Sequence, residues 1–322
     1  MSGVAEPVYE AQVAAALGAV ELRPPAAFLW FGRREPVDGG EEELVARIAR
    51  RLHDDFFSTG APRPRRGGPA TAPDDGGEFA RALSQANGGR GAWQAGWRIA
   101  AVQPDEVLVV VRPDGLALVA PAGGVRADGD AVAGAAAAVL QPKELRGLSP
   151  GLLIALGDAG RPEGDDRVGL FWNIAAAGAA ALTARLTYAL NGARLPFTLE
   201  LLDTPARYGR GDAAVLCLAR SDFGAALKLS KPLLRTLGGH LTEGAPAFTR
   251  PLARGLAVAE LPAGGQRFGE DRCRLLAEAI VASPAGTAAE QLAAVRERFA
   301  AAGLRLDTPY LQPGSADAYD GS

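Results

Sequence analysis

The chain has 322 residues, 48% of them hydrophobic, and a formal net charge of −3. That apolar share can fill one large core or two modest ones, and the mildly acidic balance disfavours duplex DNA or an anionic membrane as the main partner. Two cysteines (Cys217, Cys273) and two histidines (His53, His240) offer neither a disulfide framework nor a zinc spacing.

No apolar run approaches the roughly 20 residues a spanning helix needs, and MSGVAEPVYEAQ lacks the basic stretch and apolar core of a signal peptide. These features predict a soluble, cytoplasmic protein with reduced thiols. The cations are lopsided. Only Lys143, Lys228 and Lys231 are lysines, so anion recognition would fall to arginine, which binds in a forked geometry but almost never acts as a base.

Residues 8–21 and 41–57 read as helices, the second amphipathic through Leu44, Ile48, Leu52 and Phe56. Residues 58–76 are rich in Pro, Gly and Arg and read as a linker or exposed loop. The predicted organisation is a helical segment over 1–57, a linker over 58–77 and one α+β domain over 78–322. A short helix, 78–85, leads to Asn87-Gly-Gly-Arg-Gly and to Trp93 and Trp97. Residues 98–103, 106–112 and 116–120 form a β-meander with Pro-Asp turns at 104–105 and 113–114.

Val168 to Trp172 is a strand, after which Asn173 is placed to cap a helix carrying Leu182, Leu186 and Leu190. In strand 196–202, Phe197, Leu199 and Leu201 share one face, and Thr198 and Glu200 the other. Residues 212–219 are a buried strand. Helices follow near 222–238, 269–282 and 288–302, the last burying Leu292, Val295 and Phe299. Without regular βαβ alternation, the class is α+β: N-terminal helices and a β-meander packed with a mixed C-terminal lobe.

Several motifs carry a bland reading. Gly88-Gly-Arg-Gly91 lies between a helix and a tryptophan instead of between a strand and a helix, so it is a turn and not a phosphate loop. Asp165-Asp166 sits in a Gly-rich turn, and Arg210-Gly-Asp212 matches an adhesion tripeptide by chance. Trp93 and Trp97 read as aromatics pinning the meander onto the core. His53 and His240 each read as a surface or helix-end residue. A denser signal begins at Pro196. Arg210, Arg250 and Arg272 recur at loop and helix ends, a pattern suited either to a phosphate ester or to Arg–Asp structural pairs.

An ordered series runs from about residue 79 to 319. It comprises Trp93-x-x-Gly-Trp97, Leu148-Ser-Pro-Gly, Phe171-Trp-Asn, Leu195-Pro-Phe and Pro205-x-x-Tyr-x-Arg-x-Asp-Ala-Ala-Val-Leu216. It continues with Pro246-Ala-Phe-Thr, Leu252-Ala-x-Gly-Leu, Phe268-Gly-x-x-Arg-Cys273 and Pro309-Tyr-Leu-x-Pro-Gly-Ser-x-Asp-x-Tyr319. The series resembles the HopA-type family, named for a type III secreted effector. Its biosynthetic members act as lyases in class V lanthipeptide and thioamitide pathways.

The resemblance implies elimination of phosphate from phosphoserine or phosphothreonine of a precursor peptide, without metal or cofactor. A partner kinase and a cyclase would act on the same peptide. Arg210, Arg250 and Arg272 would hold the phosphate and Tyr208 would orient it. Two positions depart from the family pattern: Glu200 stands where it carries lysine, and Asp271 where it often carries histidine. Glu200, Lys228, Lys231 and His240 are therefore the candidate proton-transfer groups. The alternative implied by those departures is a non-catalytic adaptor that binds the peptide or the partner enzymes.

Overall fold

The computed structural model describes residues 8–23, 27–64, 77–284 and 286–319. Most of the predicted linker, residues 65–76, lies outside these. Helix α1 (Val8–Ala19) runs into a small antiparallel meander of β1 (Val20–Arg23), β2 (Ala27–Trp30) and β3 (Arg33–Pro36). Next comes α2 (Glu41–Asp55), whose buried stripe is Ile48 and Leu52, continued by Phe56 and Phe57 just beyond it. Helix α3 (Glu78–Ala86) then leads to β4 (Ala92–Gln103), β5 (Val107–Val111), β6 (Ala117–Pro121), β7 (Val125–Ala127) and β8 (Ala136–Gln141).

These five strands form a separate antiparallel sheet in the order β6-β5-β4-β8-β7. Its core is its own: Trp97, Ile99, Leu108, Val110, Ala137 and Val139 are buried together. Trp97 therefore fills the meander's core instead of pinning it onto the main one. Trp93 is half-buried under the Arg126 guanidinium, 3.9 Å from its ring centroid. The chain enters and leaves this sheet side by side at Gly91, where a Cβ would stand 2.3 Å from the Gln141 carbonyl oxygen. Gly91 also has a φ of +85°, which glycine adopts without steric penalty.

The main sheet contains β9 (Glu144–Arg146), β10 (Leu152–Leu156) and β11 (Arg167–Trp172). After α4 (Ala176–Gly192) come β12 (Thr198–Leu202) and β13 (Ala214–Ala219); after α5 (Phe223–Thr236) come β14 (Arg250–Ala253) and β15 (Leu256–Leu261). Its order is β14-β15-β11-β13-β12-β10-β9, antiparallel throughout. Helices α6 (Phe268–Ala282) and α7 (Ala288–Ala301) close the chain, α7 opened by a capping box between Thr287 and Glu290. In α7, Val295 and Phe299 are buried and Leu292 is half-buried.

Two helical groups cover the main sheet. One contains α3, α4 and α5; the other contains α1, α2, α6 and α7. The fold is α+β, as the mixed pattern predicts. One core runs through residues from Val13 to Tyr319, so the N-terminal helices and the 20–36 meander share it with the C-terminal lobe. Asn173 does not cap α4, whose N-cap is Ala175. Its side-chain amide instead donates to the Glu243 and Gly244 carbonyls, tying β11 to the loop before β14.

Candidate functional site

Strand alternation decides which side chains the main sheet offers to its α2/α6 side. Leu199 and Leu201 are fully buried on the other face, whereas Thr198 and Glu200 point into a cleft, with Val215 and Cys217 beside them on β13. Arg167 and Phe171 of β11 extend this floor. The walls are the Val45–Ala49–His53 side of α2, the Arg207–Asp212 loop, and the segment Gly265–Glu270 that opens α6. The cleft volume is about 920 Å³. Phe57 fixes where α2 meets α6, because Gly269 lies so close that a Cβ there would come within 2.3 Å of the Phe57 ring.

The cleft is densely charged and formally balanced. Arg50, Arg167, Arg207, Arg210, Arg267 and Arg274 line it, as do Glu42, Asp54, Glu200, Asp212, Glu270 and Glu278. Arg210 forks onto Asp212 at 2.5 and 2.8 Å. Burial opposes ionisation of Asp212, but this fork outweighs it and holds the carboxyl below its ordinary range. Arg267 reaches across to Glu200 at 3.0 Å. Burial nevertheless raises the Glu200 carboxyl above its ordinary value, Arg267 opposing and Glu270 and Asp212 adding to the rise. Arg274 pairs with Glu278 at 2.7 Å.

Other donors remain open. Arg207 gives one hydrogen bond, to the Gly151 carbonyl at 2.8 Å. Arg50 has no hydrogen-bond or ion-pair partner among the described residues, and the Arg167 Nε is buried without one. The first backbone amides of α6, at Phe268, Gly269 and Glu270, also lack partners among the described residues. Cys217 is nearly buried on the floor, and burial pushes its thiol up to about 11, so it stays protonated at neutral pH.

Of the sequence-predicted residues, the structure brings only Glu200 and Arg210 into this cleft. Lys228 and Lys231 are exposed on α5, and His240 follows that helix, packed over Gly178 of α4. All three belong to the opposite helical layer, with the sheet between them and the cleft. Tyr208 turns inward: its hydroxyl donates to the Leu202 carbonyl at 2.8 Å and its ring meets Phe79 edge-on.

Arg250 and Arg272 serve a different structure, a clasp on the C-terminal segment. Arg272 is 1% exposed and donates to the carbonyls of Pro309 and Leu311 at 2.9 and 3.0 Å, with Asp271 as its ion partner. Arg250 pairs with Asp317 and donates to the Tyr310 hydroxyl. Buried Glu260 completes the clasp by accepting from the Tyr319 hydroxyl at 2.8 Å and the Gln312 amide at 2.6 Å, with Arg220 at 3.2 Å. At 1% exposure the Arg272 guanidinium has no face left for a substrate phosphate, whereas Arg250, 26% exposed, lies away from the cleft and is engaged by Asp317 and Tyr310.

Sequence reasoning passed over Arg207 and Arg267 and gave His53 only a surface or helix-end role. His53 carried a signal: Val45, Ala49 and His53 recur every fourth residue, a second stripe beside the core-facing one on α2. Arg267 stands immediately before the first residue of α6, where an anion site gathers its donors. Among the described residues, no group of three or more His, Cys, Asp or Glu could hold a metal ion, and no helix is long and apolar enough to cross a membrane.

A family model described as the HopA1 effector protein family matches residues 145–311, just over half of the chain. No curated protein matches it in sequence. The solved effector protein from Pseudomonas syringae pv. tomato strain DC3000 is similar at a TM-score of 0.50 and 16% identity, over 95% of this chain and 96% of that one. The effector protein from Pseudomonas syringae pv. syringae strain 61 gives a TM-score of 0.45 and 13% identity, over 85% of this chain and 97% of that one. At such identity the first likeness concerns the fold alone, and the second carries no argument.

Proposed function

This chain belongs to the HopA1 effector protein family, and we propose that its cleft receives a phosphorylated serine or threonine of a ribosomally made precursor peptide and eliminates the phosphate. A base takes the Cα proton, and the C–H electron pair becomes the Cα=Cβ bond. The Cβ–O bond breaks, and phosphate departs with its electrons. A kinase must supply such a substrate, and a cyclase that adds a thiol to the new alkene could consume the product.

The observation that carries this reading is a convergence. The open N-terminus of α6, Arg267, Arg50, Arg207 and Arg210 surround one trough whose floor is a sheet face. Backbone amides at a helix N-terminus and forked guanidiniums stabilise the charge that builds on a leaving phosphate. The second reading, a peptide-binding adaptor without chemistry, is favoured by one specific feature. Arg210, Arg267 and Arg274 already carry carboxylate partners, so the trough is closer to neutral than a dedicated phosphate site.

Incubating the protein with a precursor peptide phosphorylated on Ser or Thr tests the choice by mass spectrometry. The lyase reading expects loss of the elements of phosphoric acid. Binding without mass change supports the adaptor, and no binding removes both.

A further inference from the structure

We infer that His53 is the proton acceptor of this cleft and that Asp54 is its positioning residue, an assignment that rests on the lyase reading above. The imidazole stacks on Phe57, with ring centroids 5.4 Å apart and planes at 19°. Phe57 is 1% exposed and locked by the close approach of Gly269, so it is a rigid support. His53 Nδ1 stands 3.3 Å from Asp54 Oδ1. That contact favours the tautomer protonated at Nδ1 and leaves the Nε2 lone pair to face a substrate. The Asp54 carboxyl is suited to this role. Desolvation opposes its ionisation, but the bond to His53, with Arg210 and Arg51 nearby, holds it below its ordinary range.

The other groups around the cleft fit the task less well. Arginine does not serve as a base. The Cys217 thiol is protonated, and Lys228, Lys231 and His240 stand in the other helical layer. Glu200 is engaged by Arg267, Asp212 by Arg210, and Glu278 by Arg274 and Arg298. Any carboxylate base would also face the substrate dianion with like charge. A neutral imidazole starts without that repulsion, and the imidazolium it becomes is attracted by both Asp54 and the departing phosphate. The charged groups that share the cleft with His53 include Arg50 and Asp54 from its own helix, the Arg210–Asp212 pair from the loop before β13, and Arg267 and Glu270 at the start of α6, of which Asp54 and Asp212 act on it electrostatically. The Cα proton passes to Nε2, and the imidazolium releases it to solvent or to the free phosphate.

With only two histidines, one in the cleft and one in the opposite layer, the molecule carries its own control. A phosphothreonine peptide titrated into the full chain should move the imidazole NMR resonances of His53 and leave those of His240 in place. In the elimination assay, His53→Gln should lower kcat about 100-fold or more with melting temperature and peptide affinity retained. His53→Ala should recover part of its rate on addition of free imidazole, which a purely structural role would not allow. Asp54→Asn should lower kcat with little change in KM. Full activity in His53→Gln overturns the assignment while leaving the lyase reading intact. A His53 ring that ignores the peptide overturns it whatever the assay shows. A wild-type chain that eliminates nothing removes the lyase reading, and with it the catalytic role, while the ring titration still decides whether His53 meets the peptide.

Discussion

Helix α6 borders two arginine clusters that differ in what their guanidiniums face. Arg272 is turned inward at 1% exposure, with its donors divided between Asp271 and two backbone carbonyls of the C-terminal segment. Arg267 and Arg274 have side chains 40% and 47% exposed and look onto the cleft, Arg267 paired with Glu200 and Arg274 with Glu278 and, at 3.6 Å, Asp271, all side-chain partners that an incoming anion could replace. A guanidinium saturated by fixed backbone oxygens holds a fold together, because each bond is made once and never exchanged. A guanidinium paired at a partly solvated wall can trade partners at small cost, since such pairs contribute only about 0–1 kcal/mol.

The clasp should give the largest effect. Arg272→Ala leaves Asp271 and two carbonyls without their buried donor, and is expected to cost about 3–5 kcal/mol of stability. Chemical denaturation measures it, and a loss below 1 kcal/mol would mean that the tail is held by other contacts. The cleft counterpart is Arg210→Ala, which strands Asp212 and should cost less, about 2–3 kcal/mol, because that pair retains some solvent. Arg210→Lys separates the roles. If the fork meets phosphate, phosphopeptide affinity falls about tenfold with little change in melting temperature, because lysine keeps the charge and loses the fork. A lower melting temperature at unchanged affinity would move Arg210 into the same structural class as Arg272.

A smaller effect is expected at the far end of the clasp. Tyr319→Phe removes one donor to buried Glu260, which keeps the Gln312 amide and Arg220, so about 1–2 kcal/mol should be lost. Phosphopeptide binding should not change. A binding defect in Tyr319→Phe at full stability would show that the two clusters communicate through α6.

The same contrast explains what the sequence made legible. Periodicity located α2, α7 and three of the five strands of the separate sheet, β7 and β8 lying in an Ala/Gly-rich stretch without a pattern, and period-two alternation put Glu200 on the face opposite Leu199 and Leu201, where the cleft lies. The strands at 20–23, 27–30 and 33–36 escaped notice because they are four residues long and the last opens with three consecutive charged residues, too little for a pattern to register. Arg250 and Arg272 looked like phosphate ligands because a sequence shows a cation near a helix or strand end and not what returns to cover it. Pro309 to Tyr319, 37 or more residues further on, is what covers them. The motifs behind the family resemblance therefore record this clasp as much as any chemistry. His53 reads in the sequence only as a helix-end residue, which it is, for the opposite reason: its partners, Asp54 and Phe57, are close in sequence, but the cleft they border is assembled from distant strands.

Glu200 gives the smallest and sharpest test of the cleft. Its carboxylate engages Arg267 and would repel a phosphate dianion, so Glu200→Gln should free the guanidinium and tighten phosphopeptide binding about three- to tenfold, roughly 0.6–1.4 kcal/mol. The folded carboxyl has a raised pKa, so the native state binds this proton more tightly than the unfolded chain does. Stability from this group is therefore present below the unfolded value and lost as pH rises through the raised one. Glu200→Gln should remove that dependence. Acidification also removes charge from the phosphate ester, whose second ionisation lies near 6, so parent and variant must be compared at each pH. The affinity gap between them should be widest where Glu200 is ionised and close as pH falls through its raised pKa. A gap that persists in acid would point to altered packing of the floor and not to charge. If Glu200→Gln instead binds as the parent does but loses all elimination, Glu200 and not His53 takes the proton, and the Arg267 pair is then the device that keeps that carboxylate ready beside an anion.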